Sequence, residues 1–324
     1  MSSSTRAVAA GSGAATARGS RGVKRHAPGP RVAPYGFVLP YVALFLLFVV
    51  TPIIFAGYNS LFKVERNGLG LGGDSHAIFF GLGNYALALS KPEFVESFGR
   101  VLLFGAVQVP TMLGFALVLA LIFDTELAGR LKSALQLIVF LPFVVPSVVA
   151  ALLWAFLYQP GVSPIVDGLA AVGVHVDFLS PSSILWSIAN VNVWAVTGVN
   201  MIILYAALQT IPKDLYEAAR LDGAGELRTA LRIKVPMVAP AIFLTLIFSI
   251  IGTIQLYNEP TVIRSITANV SANYTPNMAV FEATTRGGNI NLGSAMAIIV
   301  GLVIFVVSVV ATVPVNRWRK RVAM

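Results

Sequence analysis

Six long stretches of this chain carry no charged side chain, and their length constrains the fold more than any other feature. They cover residues 32–62, 101–123, 133–166, 178–212, 235–258 and 287–316. A helix needs about 20 apolar residues to cross the hydrocarbon core of a bilayer, and each stretch is long enough. Lipid offers no partner to an open backbone, so helices that satisfy their own hydrogen bonds are the expected spanning structure. Buried helices of a large soluble protein would need amphipathic helices to cover them. Charged residues are only 11% of this chain, against about 25% in soluble domains, which leaves none to spare. The expected fold class is an all-α membrane protein with six transmembrane helices.

The basic residues orient those spans. When alternate connections are assigned to opposite sides, one side collects the N-terminal tail, Arg130 and Lys132, five bases between Lys213 and Lys234, and four between Arg317 and Arg321. That side holds seventeen bases and the other only Lys63, Arg66, Lys91, Arg100, Arg264 and Arg286. The positive-inside rule then places both termini in the cytoplasm. Topology and anionic lipid account for the net charge of +9, and a nucleic-acid partner is unnecessary. The chain has no cysteine, and its histidines, His26, His76 and His175, are scattered. Neither a thiolate metal site nor an imidazole centre is expected.

Residues 1–33, rich in Ser, Gly, Ala and Arg, are expected to be a disordered cytoplasmic tail. The first apolar stretch exceeds a signal-peptide core and lacks a small-residue cleavage pattern after it, so it reads as a retained helix. The membrane domain should span 34–318, followed by a basic cytoplasmic end at 319–324. Helices are expected near 35–58, 101–123, 135–158, 184–205, 237–256 and 292–315, with kinks at Pro52, Pro110, Pro142, Pro146 and Pro240.

The most informative connection is 207–236. Pro212 suits a first helical position, 213–222 propagates well, and Gly223 can take the left-handed conformation that stops a helix. A second helix should run from Glu226 to Lys234, ended by the restriction that Pro236 places on Val235. Leu215, Ala218, Ala219 and Asp222 fall at helical spacing and define a face with small central side chains. Such a face lets another protein's backbone approach closely; an ordinary solvated loop is the alternative that spacing leaves open.

The run Glu217-Ala218-Ala219-Arg220-Leu221-Asp222-Gly223-Ala224-Gly225, followed by Ile233 and Val235-Pro236, resembles the signature loop of binding-protein-dependent ABC importer permeases. Tyr35-Gly36-Phe37-Val38-Leu39-Pro40, Phe80-Gly81-Leu82-Gly83-Asn84-Tyr85 and Ser294-Ala295-Met296-Ala297 look like the carbohydrate-uptake branch, similar to the larger membrane subunit of the maltose importer. The resemblance implies a type I ABC importer permease architecture. It also implies a nucleotide-binding ATPase subunit that holds the ATP and magnesium, a second permease subunit in a heterodimer, and an extracytoplasmic solute-binding protein. The setting would be a bacterial or archaeal plasma membrane. By the same resemblance Glu217 pairs with a basic group of the ATPase, Ala218 and Ala219 pack against it, and Gly223 makes the turn; Asp222, on the same helical face, is a further candidate for the coupling contact. Leu227 and Ala230 depart from the family, standing where aromatics are usual, and a common Gly-Gly-Pro run after the fifth span is missing.

Other function classes lack their parts. Proton or sodium coupling normally uses ionisable groups inside the membrane, and the six stretches contain none. The glycine loop that cradles phosphates in ATP-binding chains is also absent, and Glu259 and Glu282 read as isolated loop carboxylates rather than an acid–base pair. Asn190, Trp194, Thr197 and Asn200 in the fourth span, with Ser249, Thr253 and Gln255 in the fifth, are the candidate lining of a solute pathway. Neutral amides, hydroxyls and an aromatic suit a sugar; a polyol or glycerol phosphate is the alternative solute. Each of these residues can equally serve as an interhelical hydrogen-bonding group.

Overall fold

The structure is a computed structural model, and it describes residues 33–66, 75–125 and 129–322. Residues up to Pro52 form one unit and those from Ile53 onward another. The expected disordered tail lies outside the described residues except for its last position.

The first span is helical from Tyr35 to Ser60. It comprises α1 (Ala33–Phe45), a π-helical turn over Leu46–Val50, and α2 (Thr51–Ser60). The wide turn has a local cause. Pro52 has no N–H, and its ring would crowd the carbonyl four residues back. Thr51 N–H instead reaches five residues back to the Leu46 carbonyl, which opens room for the ring.

Strands β1 (Phe62–Arg66) and β2 (Ser75–Phe79) follow as an antiparallel pair, with Phe62 opposite Phe79 and Arg66 opposite Ser75. No strand is among the sequence-based expectations for this outer loop. Then comes α3 (Gly83–Leu89). Here the Phe80–Tyr85 motif acquires a physical role: Asn84 Nδ2 donates to the carbonyls of Ser60 (2.8 Å) and Phe62 (2.7 Å), and the Tyr85 hydroxyl lies 2.8 Å from Ser60 Oγ. The end of α2 is thereby tied to the outer loop.

Helix α4 (Pro92–Phe123) starts nine residues before the expected point, because Pro92 opens it and Glu93 suits its first turn. The expected single third helix is in fact two, α5 (Gly129–Val144) and α6 (Ser147–Leu157), bent by 96°. Pro146 holds ψ at 134° at the N-cap of α6, and a residue before proline avoids the helical region; the break falls between the two. Outside the membrane α7 (Pro164–Ala171) is capped by Ser163 Oγ, which accepts from the Ile165 and Val166 N–H groups. Helix α8 (Ile184–Leu208) is unbroken.

The hairpin helices α9 (Lys213–Leu221) and α10 (Glu226–Thr229) come next. The second does not stop at Pro236. It continues through a π-helical turn, Ala230–Lys234, into α11 (Val235–Ile254). Val235 N–H donates to the Ala230 carbonyl five residues back, the same accommodation of a following proline seen before Pro52. The outer face carries α12 (Asn258–Ile263) and α13 (Pro276–Phe281), and α14 (Ile290–Val322) ends the described chain. Counting α5 and α6 as one broken span, six helical segments among the described residues are long and apolar enough to cross a membrane.

The packing is that of a protein in lipid. Small residues sit where helices touch: Ala116, Ala120, Ala150, Ala151 and Ala155 are buried, and a Cβ added to Gly198 would overlap the Val139 carbonyl of α5. Large apolar side chains face outward, Phe248 at 61% exposure and Phe305 at 65%.

Candidate functional site

The chain offers two places for function, the α9–α10 hairpin and a polar cluster among the spans. In the hairpin, Pro212 proves to be the N-cap and Lys213 the first helical residue. Gly223 has φ +71°, its N–H donates to the Arg220 carbonyl (3.0 Å), and Ala224 N–H reaches the Ala219 carbonyl (2.9 Å). This pair of bonds is a Schellman cap, in which the glycine takes the left-handed position. A Cβ at Gly223 would meet nothing within 4 Å, so backbone conformation alone selects glycine there.

Of the expected docking residues, Glu217, Ala218 and Asp222 are exposed and Ala219 is not; only 6% of it is accessible. Ala219 therefore packs within its own chain. The most exposed apolar side chains of the hairpin and the turn after it are Leu221 (89%), Leu227 (75%) and Leu231 (60%), with Leu215 of the expected face also exposed. Leu227, which stands where the family usually has an aromatic, lies on the outer surface of the hairpin. Arg220 and Glu226, 3.4 Å apart, bridge α9 to α10.

Beneath the hairpin lies a buried charge pair that sequence reading missed. Lys234 Nζ is 2.7 Å from Asp124 Oδ2, with side chains only 6% and 5% exposed. Gln209 Nε2 donates to Asp124 Oδ1 at 2.8 Å, and Lys234 Nζ stands 4.9 Å from the centre of the Tyr216 ring. Burial, and then the Asp124 carboxylate, push the Tyr216 phenol up to about 12, so it stays neutral. Removing one member of such a pair leaves a bare buried charge, a loss of about 3–5 kcal/mol.

Among the spans some polar residues join helices and others bond within one. Gln108, 2% exposed, donates from Nε2 to Asn192 Oδ1 and accepts at Oε1 from Thr253 Oγ1, both at 3.0 Å. Gln108 was overlooked, although a lone amide inside an otherwise apolar stretch was its signal. Thr197 donates to the Val193 carbonyl within its own helix. Asn200 approaches the Val196 carbonyl and Met112 sulfur, and Ser249 receives the Thr253 hydroxyl at its carbonyl. Gln255 is exposed, and its carbonyl accepts from Asn277 Nδ2 at 3.0 Å.

Toward the outer ends of α6 and α8, Asn190 Nδ2 donates to the Tyr158 hydroxyl (2.9 Å), and Trp154 meets Trp194 edge-to-face at 5.9 Å. Trp154 Nε1 is buried with no hydrogen-bond partner among the described residues. Thus Asn190 and Trp194 come together with Trp154 and Tyr158, whereas Gln255 stands apart. Glu282 is not isolated: its carboxylate lies 3.9 Å from Arg264 and 3.7 Å from Arg286. Among the described residues no group of three metal-ligating side chains occurs.

These features define a multi-pass helical membrane subunit with a capped hairpin protruding on one side. The chain belongs to the binding-protein-dependent transport system inner membrane component family, whose profile matches residues 93–323. It is accordingly the membrane-spanning permease of an ABC importer and not itself an enzyme. A probable ABC transporter permease protein, YurN of Bacillus subtilis, is 29% identical over 72% of this chain and 79% of its own length. The sn-glycerol-3-phosphate transport system permease protein UgpA of Yersinia pseudotuberculosis is 32% identical over 67% and 72%. Among solved structures, a bacterial ABC transporter that imports the acidic polysaccharide alginate has a chain covering 89% of this one and 95% of itself, with TM-score 0.71 and 21% identity. That likeness shows the fold.

Proposed function

We propose that this permease passes a neutral sugar, delivered by an extracytoplasmic binding protein, and that its α9–α10 hairpin docks on a separate ATPase subunit. A second permease subunit completes the pathway. The observation that carries the solute reading is the cluster of Trp154, Tyr158, Asn190 and Trp194, where ring faces adjoin an amide and an unpartnered indole N–H. Aromatic faces bury the C–H side of a pyranose, and amide and indole groups bond its hydroxyls. Thr253 and Asn200 are assigned to helix joining, through Gln108 and Met112 of α4, and Thr197 to bonding within its own helix; Ser249 takes part only through its backbone carbonyl.

Glycerol phosphate, the solute for which the UgpA relatives are named, is the second reading. A phosphate calls for Arg or Lys, and the four cluster residues include none. Arg100, at the outer part of α4, already donates to the Tyr274 carbonyl at 2.8 Å. Uptake by the reconstituted importer separates the two. Labelled neutral oligosaccharide should accumulate, and Trp194→Ala should weaken that uptake while the complex still assembles. Accumulation of glycerol 3-phosphate alone would reject the sugar reading.

For the hairpin, the supporting observation is its rigid cap together with exposed Glu217, Ala218, Leu221 and Asp222. Glu217→Lys should abolish copurification of the ATPase; unchanged copurification would reject docking there.

A further inference from the structure

Two polar nodes in this molecule draw on the same three helices. The lower one takes Asp124 from the end of α4, Gln209 from the end of α8 and Lys234 from the turn that opens α11. The upper one takes Gln108 from α4, Asn192 from α8 and Thr253 from α11. In each, the α4 residue is the hub: both Asp124 and Gln108 contact one residue from each of the other helices. At 1.5 Å per residue the nodes are separated by about 24 Å along α4, about 26 Å along α8 and about 29 Å along α11. The similar spacings make two cross-braces at two levels of one three-helix bundle.

We infer that Asp124, Gln209 and Lys234 are positioning residues that fix the hairpin to this bundle, so that a displacement of the hairpin carries Gln108, Asn192 and Thr253 with it. The inference rests on the reading that the hairpin docks on the ATPase. Two features favour bracing over an incidental surface pair. Both charges are almost wholly buried, so either one left alone would be poorly solvated. In addition, Lys234 lies in the π-helical turn between hairpin and span, the one place where α10 and α11 would otherwise flex against each other.

The absence of cysteine from the chain lets spin labels be placed on introduced cysteines. One pair, at exposed Ser182 and Arg228, spans the outer end of α8 and the hairpin; a second, at Arg228 and exposed Leu302, spans the hairpin and α14. In the full complex with its ATPase, distances are measured nucleotide-free and after trapping with Mg-ATP and vanadate. The expected result is a single 182–228 distance that is unchanged by trapping while 228–302 changes. Asp124→Asn and Lys234→Met, compared in the assembled fraction, should make 182–228 broad or trapping-dependent. The charge-swapped pair Asp124→Lys with Lys234→Asp should restore the single distance, which lost stability alone does not predict. Overturning results are a wild-type 182–228 distance that shifts as much as 228–302, neutralised variants that stay sharp and invariant, or an assembled swap as broad as either neutralised variant. Failure of the docking reading is seen separately, as Glu217→Lys complexes that keep their ATPase.

Discussion

The two nodes of the α4–α8–α11 bundle solve one problem with different chemistry. The lower node uses a full ion pair, Asp124 with Lys234; the upper node uses Gln108, Asn192 and Thr253, with no charge at all. Position along the bundle explains the contrast. Near the membrane surface a charge can be inserted at modest cost, whereas at mid-span each ionised side chain is expensive. The comparison teaches that bracing strength is set by depth: a charged brace where headgroups are near, a neutral one in hydrocarbon.

The contrast can be broken most forcefully from below. Lys234→Met strands the Asp124 carboxylate, and the unfolding free energy of the subunit in detergent should fall by about 3–5 kcal/mol; a drop under about 1 kcal/mol would mean the carboxylate reaches water. Gly198→Ala comes next, because its new methyl meets the Val139 backbone. Forcing α5 and α8 apart should cost about 1–3 kcal/mol, read as a lower thermal midpoint of the assembled complex. Gln108→Leu should cost less, about 0.6–2 kcal/mol, in the range of hydrogen bonds between membrane helices. The comparison sharpens if Gln108→Leu combined with Asn192→Leu and Thr253→Val is no worse than Gln108→Leu alone, since the orphaned partners are then gone. The smallest effect belongs to Leu227→Ser on the hairpin's outer surface: within about 0.5 kcal/mol in stability, with a measurable loss of affinity for the ATPase subunit.

The number and order of spans were legible because hydropathy acts over twenty residues and survives local irregularity. The hairpin was legible too, down to the left-handed Gly223, because the conformational freedom of glycine is a local property. What stayed hidden depended on distance in sequence or on competition between local rules. Asp124 and Lys234 lie 110 positions apart, and nothing in either neighbourhood announces the other. Pro236 read as a stop, yet the wide turn before it keeps the helix continuous. Pro146 read as a kink and became a 96° break. Ala219 read as part of an outward face since periodicity groups residues without saying which side is covered, and burial chose otherwise. Asn190 and Trp194 were visible in the sequence as polar and aromatic residues on one helix; the Trp154 and Tyr158 that join them lie on another.

The π-helical turn at Ala230–Lys234 also sets an angular phase. One additional residue in a helix of 3.6 residues per turn rotates everything beyond it by about 100°. The direction in which α10 presents Leu227 is therefore indexed to α11 by that single surplus residue, much as a keyway indexes a gear to its shaft. Removing one residue from the turn would leave every side chain of the hairpin in place in its own helix, yet aim the whole hairpin at a different quadrant of the cytoplasm.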